Sequence, residues 1–227
     1  MTGTHPHLAN AQPWRAATHA GSGSPAYSGW PVYFAYVDWA GLRPFTEMEY
    51  EKACRGPILP QARDYPWGLA VRHLVNRFDN KNTPEETATL PDANLLAAGT
   101  YFAMFPSAPM RNGAMSHATS DQIQAGASYY GVMELAGNAW ERCIATANVA
   151  EARAFSAEHG DGELQEDGTA NVPGWPYPAA VSYGGTSIGV RGGGHEAASF
   201  NCAVSDRSSA QQNYYKAGGI RAARTAP

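Results

Sequence analysis

The stretch that decides the fold runs Gly131-Val-Met-Glu-Leu-Ala-Gly-Asn-Ala-Trp-Glu-Arg142, and its core is Gly137-Asn138-Ala139-Trp140-Glu141. Working outward, the segment Trp39–Gly56 precedes it. Arg191-Gly192-Gly193 and a closing Gly219-Ile220-Arg221 follow it. The sequence shows no internal repeat. The four segments quoted above are distributed over most of its 227 residues.

The region Gly29–Arg55 predicts two helices. An apolar run ends at Gly41, which is a suitable C-cap, because glycine adopts the left-handed conformation that ends many helices. Thr46-Glu47-Met48-Glu49 has the form of a capping box, and Gly56-Pro57 predicts the end of the second helix. Spacing predicts that the inner face of this helix is lined by Met48, Tyr50, Ala53 and Cys54.

Composition predicts many turns and loops. The chain has 24 Gly and 16 Pro, and only 16% of its residues are charged. Loops are predicted at residues 80–92 and 149–177, and short strands at residues 187–190 and 203–204. With two helices near the front, this pattern indicates an α+β fold. Residues 1–26 are expected to form a loose N-terminal arm, and residues 27–227 a single domain.

Several classes of protein are excluded or disfavoured. The net charge of −4 does not indicate a nucleic-acid-binding protein, because such proteins carry a basic surface. No apolar run approaches the ~20 residues that cross a bilayer. No signal peptide is recognised, so we expect a cytoplasmic protein, a virus-associated one or one displayed through partners. Three separated cysteines do not form a disulfide scaffold, and none of the common hydrolase, nucleotide or zinc motifs occurs.

The four quoted segments, with Tyr65-Pro66-Trp67-Gly68 in the expected order between them, resemble the formylglycine-generating-enzyme/sulfatase-modifying superfamily. The resemblance implies a C-type-lectin-like fold of the formylglycine-generating-enzyme type, with a small twisted antiparallel sheet, two helices and long irregular loops. The framework residues expected from it are Trp39, Tyr50, Trp67, Trp140 and Arg221.

The resemblance also allows an enzymatic alternative, a copper-dependent formylglycine-generating oxidase that acts on a sulfatase cysteine. The oxidising members use two cysteines shortly after the Arg-Gly-Gly motif. Alignment on Arg191-Gly192-Gly193 places those positions at Ala197 and Cys202. One sulfur ligand remains where Cu(I) chemistry needs a pair, so we expect no catalytic residues.

The segment Asn201–Arg207, followed by a Ser-, Gln- and Tyr-rich run, resembles the variable region of proteins diversified by retroelements. That resemblance implies a non-catalytic binding protein, with a recognition surface at about residues 191–221. Its ligand would be an unknown protein or cell-surface molecule, and a structural particle component is a third interpretation. The mixture of short polar residues and tyrosine is also typical of a binding surface.

Adenine-directed mutation can change the first two bases of an AAC asparagine codon but leaves its final C. Only residues that have a codon ending in C can therefore descend from such a codon. The residues excluded in this way are Glu196, Gln211, Gln212 and Lys216. Cys202, Val204 and Arg207 match framework positions of the resembled family. The ligand-facing residues predicted in this way are His195, Ala197, Ala198, Ser199, Phe200, Asn201, Ser205, Asp206, Ser208, Ser209, Ala210, Asn213, Tyr214 and Tyr215. Phe200, Asp206, Tyr214 and Tyr215 are expected to give most of the contact area.

No cofactor is required by this interpretation, but the resemblance implies a structural calcium ion. The side chains of Glu134 and Glu141 and the carbonyls of Gly137 and Ala139 match its ligand positions. Oxygen-only ligation of this kind suits Ca²⁺. The alternative is that Glu141 forms a local pair without a metal.

Overall fold

The computed structural model describes residues 29–81, 83–98, 109–146, 150–176, 187–210 and 218–225. The first helix begins at the second residue of the first range. Helix α1 spans Trp30–Trp39, with Pro31 in its first turn, and Gly41 follows with a φ of +64°. The predicted N-terminal arm lies outside the described residues. Trp39 is 63% exposed, so its predicted framework role is wrong: the helix buries the face of Tyr33, Phe34 and Val37 instead.

Helix α2 spans Glu47–Arg55, and its predicted capping box is confirmed. The Thr46 hydroxyl accepts from the backbone N–H of Glu49, and the Glu49 carboxylate accepts from the backbone N–H of Thr46. The buried face of the helix comprises Glu47, Tyr50, Cys54 and Arg55. Met48 is 64% exposed, so its predicted inward position is wrong. Helical spacing explains this, because residues 47, 50 and 54 share a face that residue 48 does not.

The largest sheet has three strands in the order β5-β4-β6. Its central strand β4, Trp140–Ile144, pairs antiparallel with β5, Ile188–Arg191, and parallel with β6, Gly218–Gly219. The expected antiparallel sheet is therefore mixed. Two small antiparallel pairs join β1, Arg43–Pro44, to β7, Ala222–Ala223, and β2, Phe78–Asp79, to β3, Thr87–Ala88.

Other short elements lie in regions that the sequence assigns differently. The predicted loop at residues 149–177 contains helix α3, Ala150–Arg153. The loop predicted at residues 80–92 contains strand β3. Residues 203–204 form no strand, because they follow a 3₁₀ helix at Ser199–Cys202 and turn back toward α2. The prediction of a strand there is wrong, whereas β5 lies where a strand was expected.

The core lies on both faces of β4, because side chains alternate along a strand. Trp140 and Ile144 pack with Tyr33, Phe34 and Val190 on one face. Cys143 packs on the other face with Tyr50 and Cys54 of α2 and with Leu135 and Val204. The mixed α+β class with two main helices is confirmed. Within the described ranges, no helix has the length and apolar character needed to cross a membrane.

Candidate functional site

The predicted recognition segment begins at Arg191, the last residue of β5, and its first residue is held by a buried ion pair. Arg191 is 1% exposed. Its Nη1 lies 2.5 Å from Glu47 Oε1, and its Nη2 lies 2.5 Å from Glu51 Oε1. The guanidinium also donates to the backbone carbonyl of Val204 and lies 4.8 Å from the centre of the Tyr50 ring. Arg191 therefore joins the sheet, α2 and the middle of the segment.

Arg207 provides a second anchor on the same carboxylate. Its Nε and Nη2 donate to the two oxygens of Glu47 at 2.6 and 2.8 Å, and the backbone N–H of Thr146 donates at 2.9 Å. Burial acts to raise the pKa of Glu47. The bonds from Arg207 and Thr146 and the charge of Arg191 outweigh it, so this pKa is held below its ordinary value. Glu47 is therefore ionised at neutral pH.

The ion pairs continue along α2 away from Glu47. Arg55 donates to Glu51 at 2.8 Å and also pairs with Asp64. The backbone carbonyl of Asp64 accepts from the N–H of Val204 at 2.9 Å. The segment from Arg191 to Arg207 is thus fixed at three points, at both ends and at Val204. Sequence reasoning missed this network, although the i, i+4 spacing of Glu47, Glu51 and Arg55 was a usable signal.

The exposed side chains of the segment stand between these anchors. Phe200 is 64% exposed, Ser205 and Ser208 are exposed, and the partly exposed residues are His195, Ala198, Ser199, Asn201 and Asp206. Asp206 accepts from the Ser208 hydroxyl at 2.7 Å, and the Asn201 amide lies 3.4 Å from both Asp206 Oδ2 and Ser208 Oγ. The structure therefore brings three of the predicted ligand-facing residues into one polar cluster.

Three residues predicted to face a ligand are buried instead: Ala197 is 7% exposed, Ser209 4% and Ala210 2%. Each takes part in close backbone packing. The Ala197 carbonyl accepts from Ala98 and the Ser209 carbonyl from Val190, while Ala210 packs against Gly189. These contacts remove the three residues from the exposed face, which is a correction to the prediction. Asn213, Tyr214 and Tyr215 lie outside the described residues.

The residues assigned to the framework are buried or anchored. Cys202 and Val204 are both 0% exposed. Gly193 has a φ of +71°, and a Cβ there would lie 2.4 Å from the Cys202 sulfur. Glycine therefore satisfies both the backbone conformation and the space in the turn that opens the segment. With Arg207 bonded to Glu47, all three framework residues contact the scaffold.

The thiols are in protonated, enclosed positions. Cys54, Cys143 and Cys202 are free and buried. Burial raises the pKa of each thiol above its ordinary value. The nucleophilic or metal-binding form of cysteine is the thiolate, so these environments disfavour both uses. Among the described residues, no group of three or more His, Cys, Asp and Glu side chains is placed to hold a metal ion.

A neighbouring loop extends the exposed face. The Tyr65 hydroxyl donates to the Ser199 carbonyl at 3.0 Å, and the Tyr65 ring stacks on Trp67 with centroids 4.9 Å apart. The Arg72 guanidinium lies 5.7 Å from the centre of the same ring. Two exposed apolar residues, Leu69 and Val71, belong to this loop. The Tyr65–Gly68 motif of this loop is recognisable in the sequence, but the contact of Tyr65 with Ser199 is not.

The predicted calcium ligands have other contacts. Glu134 is 6% exposed, its Oε1 accepts from Gly113 N–H at 3.0 Å, and its Oε2 has no hydrogen-bond partner. Glu141 lies 2.9 Å from Arg221 Nη2. Burial raises the pKa of Glu134 to about 7. Glu141 thus forms the local ion pair that is the alternative to calcium ligation, whereas Glu134 keeps one oxygen without a hydrogen-bond partner. Calcium binding at Glu134, Gly137, Ala139 and Glu141 stays a prediction.

Comparison with known families matches residues 29–226 to the sulfatase-modifying factor enzyme 1-like domain. Comparison with curated proteins gives no match. The family match covers nearly all of the described fold, including β4, the Arg191 turn and Arg221. The chain belongs to the sulfatase-modifying factor enzyme 1-like domain family, whose domain has a C-type-lectin-like fold.

Proposed function

We propose that this protein is a non-catalytic ligand-binding protein whose residues 191–221 form a recognition surface diversified by a retroelement. The observation that carries the proposal is the contrast within residues 191–208. Phe200, Ser205 and Ser208 are exposed, whereas Arg191, Cys202 and Val204 are buried and bonded or packed against the scaffold. A surface that must accept many sequences needs this separation, because its variable side chains must contribute little to the stability of the fold.

The chemistry of the exposed face supports recognition of a protein or a cell-surface molecule. Phe200 gives apolar contact area, and Asn201, Asp206 and Ser208 give hydrogen-bonding groups that can rearrange. The loop that contains Leu69, Val71 and Arg72 adds a constant border beside the variable residues. A net charge of −4 argues against nucleic acid as the ligand. No cofactor is needed for binding of this kind.

The family includes enzymes and also non-catalytic members, so the oxidase alternative needs its own argument. The two cysteine positions implied by the resemblance are Ala197 and Cys202 in this chain. Ala197 has no sulfur, and the Cys202 thiol is fully buried with a raised pKa. A pair of thiolates for Cu(I) therefore cannot form at these positions. This supports the binding proposal over the oxidase.

Two libraries of variants test the proposal. In the first, Phe200, Asn201, Ser205, Asp206 and Ser208 are randomised together. In the control library, Arg191, Cys202, Val204 and Arg207 are randomised. Most members of the first library should remain folded by protease resistance and should yield binders when selected on different immobilised proteins. Most members of the control library should unfold. Equal tolerance in both libraries, or loss of folding in the first, contradicts the proposal.

Two further measurements separate the alternatives. The neighbouring DNA should contain a reverse transcriptase gene and a near-copy of codons 191–221. Incubation with copper, oxygen and a Cys-x-Pro-x-Arg peptide should give no aldehyde by mass spectrometry. Aldehyde formation at the peptide cysteine would replace the binding proposal by the oxidase. Assembly into particles without ligand binding would favour a structural component.

A further inference from the structure

Helix α1 is apolar on all sides, although the fold buries only one of them. Apart from the fully buried Asp38, each of its residues is apolar or aromatic. The inner side of the helix packs in the core against β4. The outer side exposes Val32, Tyr36 and Trp39, which are 57%, 46% and 63% exposed. A helix that is apolar all round is normally buried all round, so the outer side has the character of a contact surface.

The three exposed side chains form one stripe along the helix, which we name the α1 stripe. Positions 32, 36 and 39 follow the i, i+4, i+7 spacing that places side chains on one helix face. The rings of Tyr36 and Trp39 lie beside each other, with their centroids 6.2 Å apart. The neighbouring outer positions are Pro31 and Ala35. The outer side of α1 therefore carries no charge, and its polar side-chain groups are one hydroxyl and one indole N–H.

A loop is fixed beside the C-terminal end of this stripe by Asp38. The Asp38 carboxylate accepts from the backbone N–H groups of Asp161 and Asn171, at the two ends of the loop, at 3.2 and 2.9 Å. The N–H of Gly162 donates to the Asp38 carbonyl at 3.2 Å, and a Cβ at Gly160 would lie 2.3 Å from the same oxygen. The loop therefore lies directly on the last turn of α1.

The loop is exposed and strongly acidic. Its exposed carboxylates are those of Asp161, Glu163, Glu166 and Asp167, and none of them forms an ion pair with a described residue. The carboxylates of Asp161 and Asp167 accept backbone N–H groups within the loop. Glu163 and Glu166 contribute their charge without such a bond to a described residue. The chain therefore presents uncompensated negative charge next to an apolar stripe.

We propose that the α1 stripe and this acidic loop form a docking surface for a basic, apolar segment of another protein. The apolar side chains of the partner pack on Val32, Tyr36 and Trp39, and its Lys and Arg side chains pair with Glu163 and Glu166. Cations also bind the faces of aromatic rings, tryptophan best of all, so the two parts of the surface favour the same partner. An amphipathic helix with one apolar and one basic side has this chemistry.

The charge of the surface favours this partner over two others. A second copy of the chain has a net charge of −4 and carries the same carboxylates beside its own stripe, so electrostatic repulsion opposes self-association. An anionic lipid surface is repelled by the loop in the same way, because cytoplasmic and bacterial leaflets attract basic segments. A cationic partner gains from both the stripe and the loop.

This surface is separate from the proposed recognition segment. Helix α1 packs with Val190 on one face of β4, whereas Val204 packs against α2 on the other face. The α1 stripe and the acidic loop share no residue with the segment Arg191–Arg207. The docking proposal therefore does not depend on the recognition proposal, and either can fail alone.

The probe for the test is a fluorescent peptide that repeats Leu-Lys-Lys-Leu-Leu-Lys-Leu, a sequence that forms a basic amphipathic helix. Fluorescence anisotropy with the full chain should give a saturable curve. A peptide with glutamine in place of leucine keeps the charge, and one with glutamate in place of lysine keeps the apolar side. Both should bind at least about tenfold more weakly. Absence of saturable binding of the basic peptide, or equal affinity for either control peptide, overturns the proposal.

Variants of the chain locate the binding site. Trp39→Ser should weaken binding of the basic peptide at least about tenfold, since it removes the largest exposed anchor. The double variant E163Q/E166Q should weaken binding about fivefold and make it less sensitive to sodium chloride. The matched controls are Leu59→Ser, at an apolar residue that is 81% exposed, and E85Q, at an exposed acid elsewhere. Each control should change the affinity less than about twofold. Equal losses in the controls and in the test variants overturn the site.

Two further measurements exclude other occupants of the stripe. In the ¹⁵N-labelled full chain, the Trp39 indole N–H resonance is assigned from W39F. A soluble paramagnetic agent should broaden it in the free protein, and the basic peptide should shift it and protect it. Protection in the free protein would show that another part of the same chain covers the stripe. Sedimentation that reveals self-association, lost in W39S, would assign the stripe to a second copy. Either result overturns the proposed partner. If W39S does not fold, the resonance titration of the wild type and the E163Q/E166Q affinities still decide.

Discussion

Arg191 Nη1 and Glu47 Oε1 lie 2.5 Å apart, although the two residues are separated by 144 positions in the chain. The pair joins β5 to the first turn of α2, and both side chains are almost fully buried. The same carboxylate also accepts two bonds from Arg207. One acid therefore anchors both ends of the segment Arg191–Arg207, which lies within the proposed recognition surface, and the stability of that segment depends on this acid.

Glu47→Gln should destabilise the fold strongly. The substitution keeps the shape of the side chain but leaves Arg191 with only the partly exposed Glu51 as a counter-charge and removes the carboxylate that Arg207 contacts. Removal of one partner of a buried pair costs about 3–5 kcal/mol. Urea unfolding followed by circular dichroism measures the change. Arg77→Met is the control, because Arg77 and Asp79 form a long, exposed pair 3.9 Å apart that should contribute less than about 1 kcal/mol. Equal effects of the two substitutions would contradict the anchoring role.

The same network predicts how stability changes in acid. The pKa of Glu47 is lowered in the folded state below its ordinary value of 4.5, because the bonds from Arg207 and Thr146 and the charge of Arg191 outweigh burial. The unfolded state therefore binds the proton more readily than the folded state. This contribution to stability is fully present above pH 4.5 and is lost as the pH falls through the lower, folded value. Glu49 is held in the same direction and loses its contribution in the same range.

Urea midpoints between pH 3 and pH 7 check this prediction. The wild type should lose stability steeply below pH 4.5, and E47Q should show a shallower loss from a lower starting value. E85Q is a suitable control, because Glu85 is exposed and forms no ion pair with a described residue. An E47Q profile parallel to that of the wild type would show that Glu47 does not carry the acid dependence.

Local sequence rules predicted the elements that local contacts determine. The capping box at Thr46 and Glu49 fixed the start of α2, and Gly56, with a φ of +60°, fixed its end. The strand at β5 and the packing of Trp140 also agree with the sequence. In each case the residues that determine the element are close together in the chain, or they alternate between the two faces of a strand.

The errors involve residues whose positions depend on distant partners. Trp39 and Met48 are large and apolar, which predicts burial, but each lies on the face of its helix that faces away from β4. The parallel pairing of β4 with β6 joins residues almost 80 positions apart, and no local pattern specifies it. The contacts of Glu47 with Arg191 and Arg207 span 144 and 160 positions, so the helical spacing of charges on α2 could not identify these two partners.

The calcium prediction is tested by removing and restoring the metal. Arg221 already neutralises Glu141, so we expect EDTA to change the Tm by less than about 1 °C and added calcium chloride to have no larger effect than magnesium chloride. Glu134→Gln should be neutral or stabilising at pH 7, because Glu134 Oε2 is buried without a hydrogen-bond partner and ionisation there is unfavourable. A calcium-specific rise in Tm that E134Q abolishes would instead establish the metal site.

The thiols should be unreactive in the folded protein. Cys54, Cys143 and Cys202 are buried, and burial raises the pKa of each above its ordinary value, so little thiolate exists at pH 8. Alkylation by iodoacetamide, followed by peptide mass spectrometry, should label none of the three under native conditions and all three in urea. The Cys202→Ala variant provides the comparison for position 202, and its exposed surface should still bind whatever ligand the wild type binds. Rapid native labelling of Cys202 would show an accessible thiolate in the turn beside Gly193, and would favour sulfur chemistry over recognition at this segment.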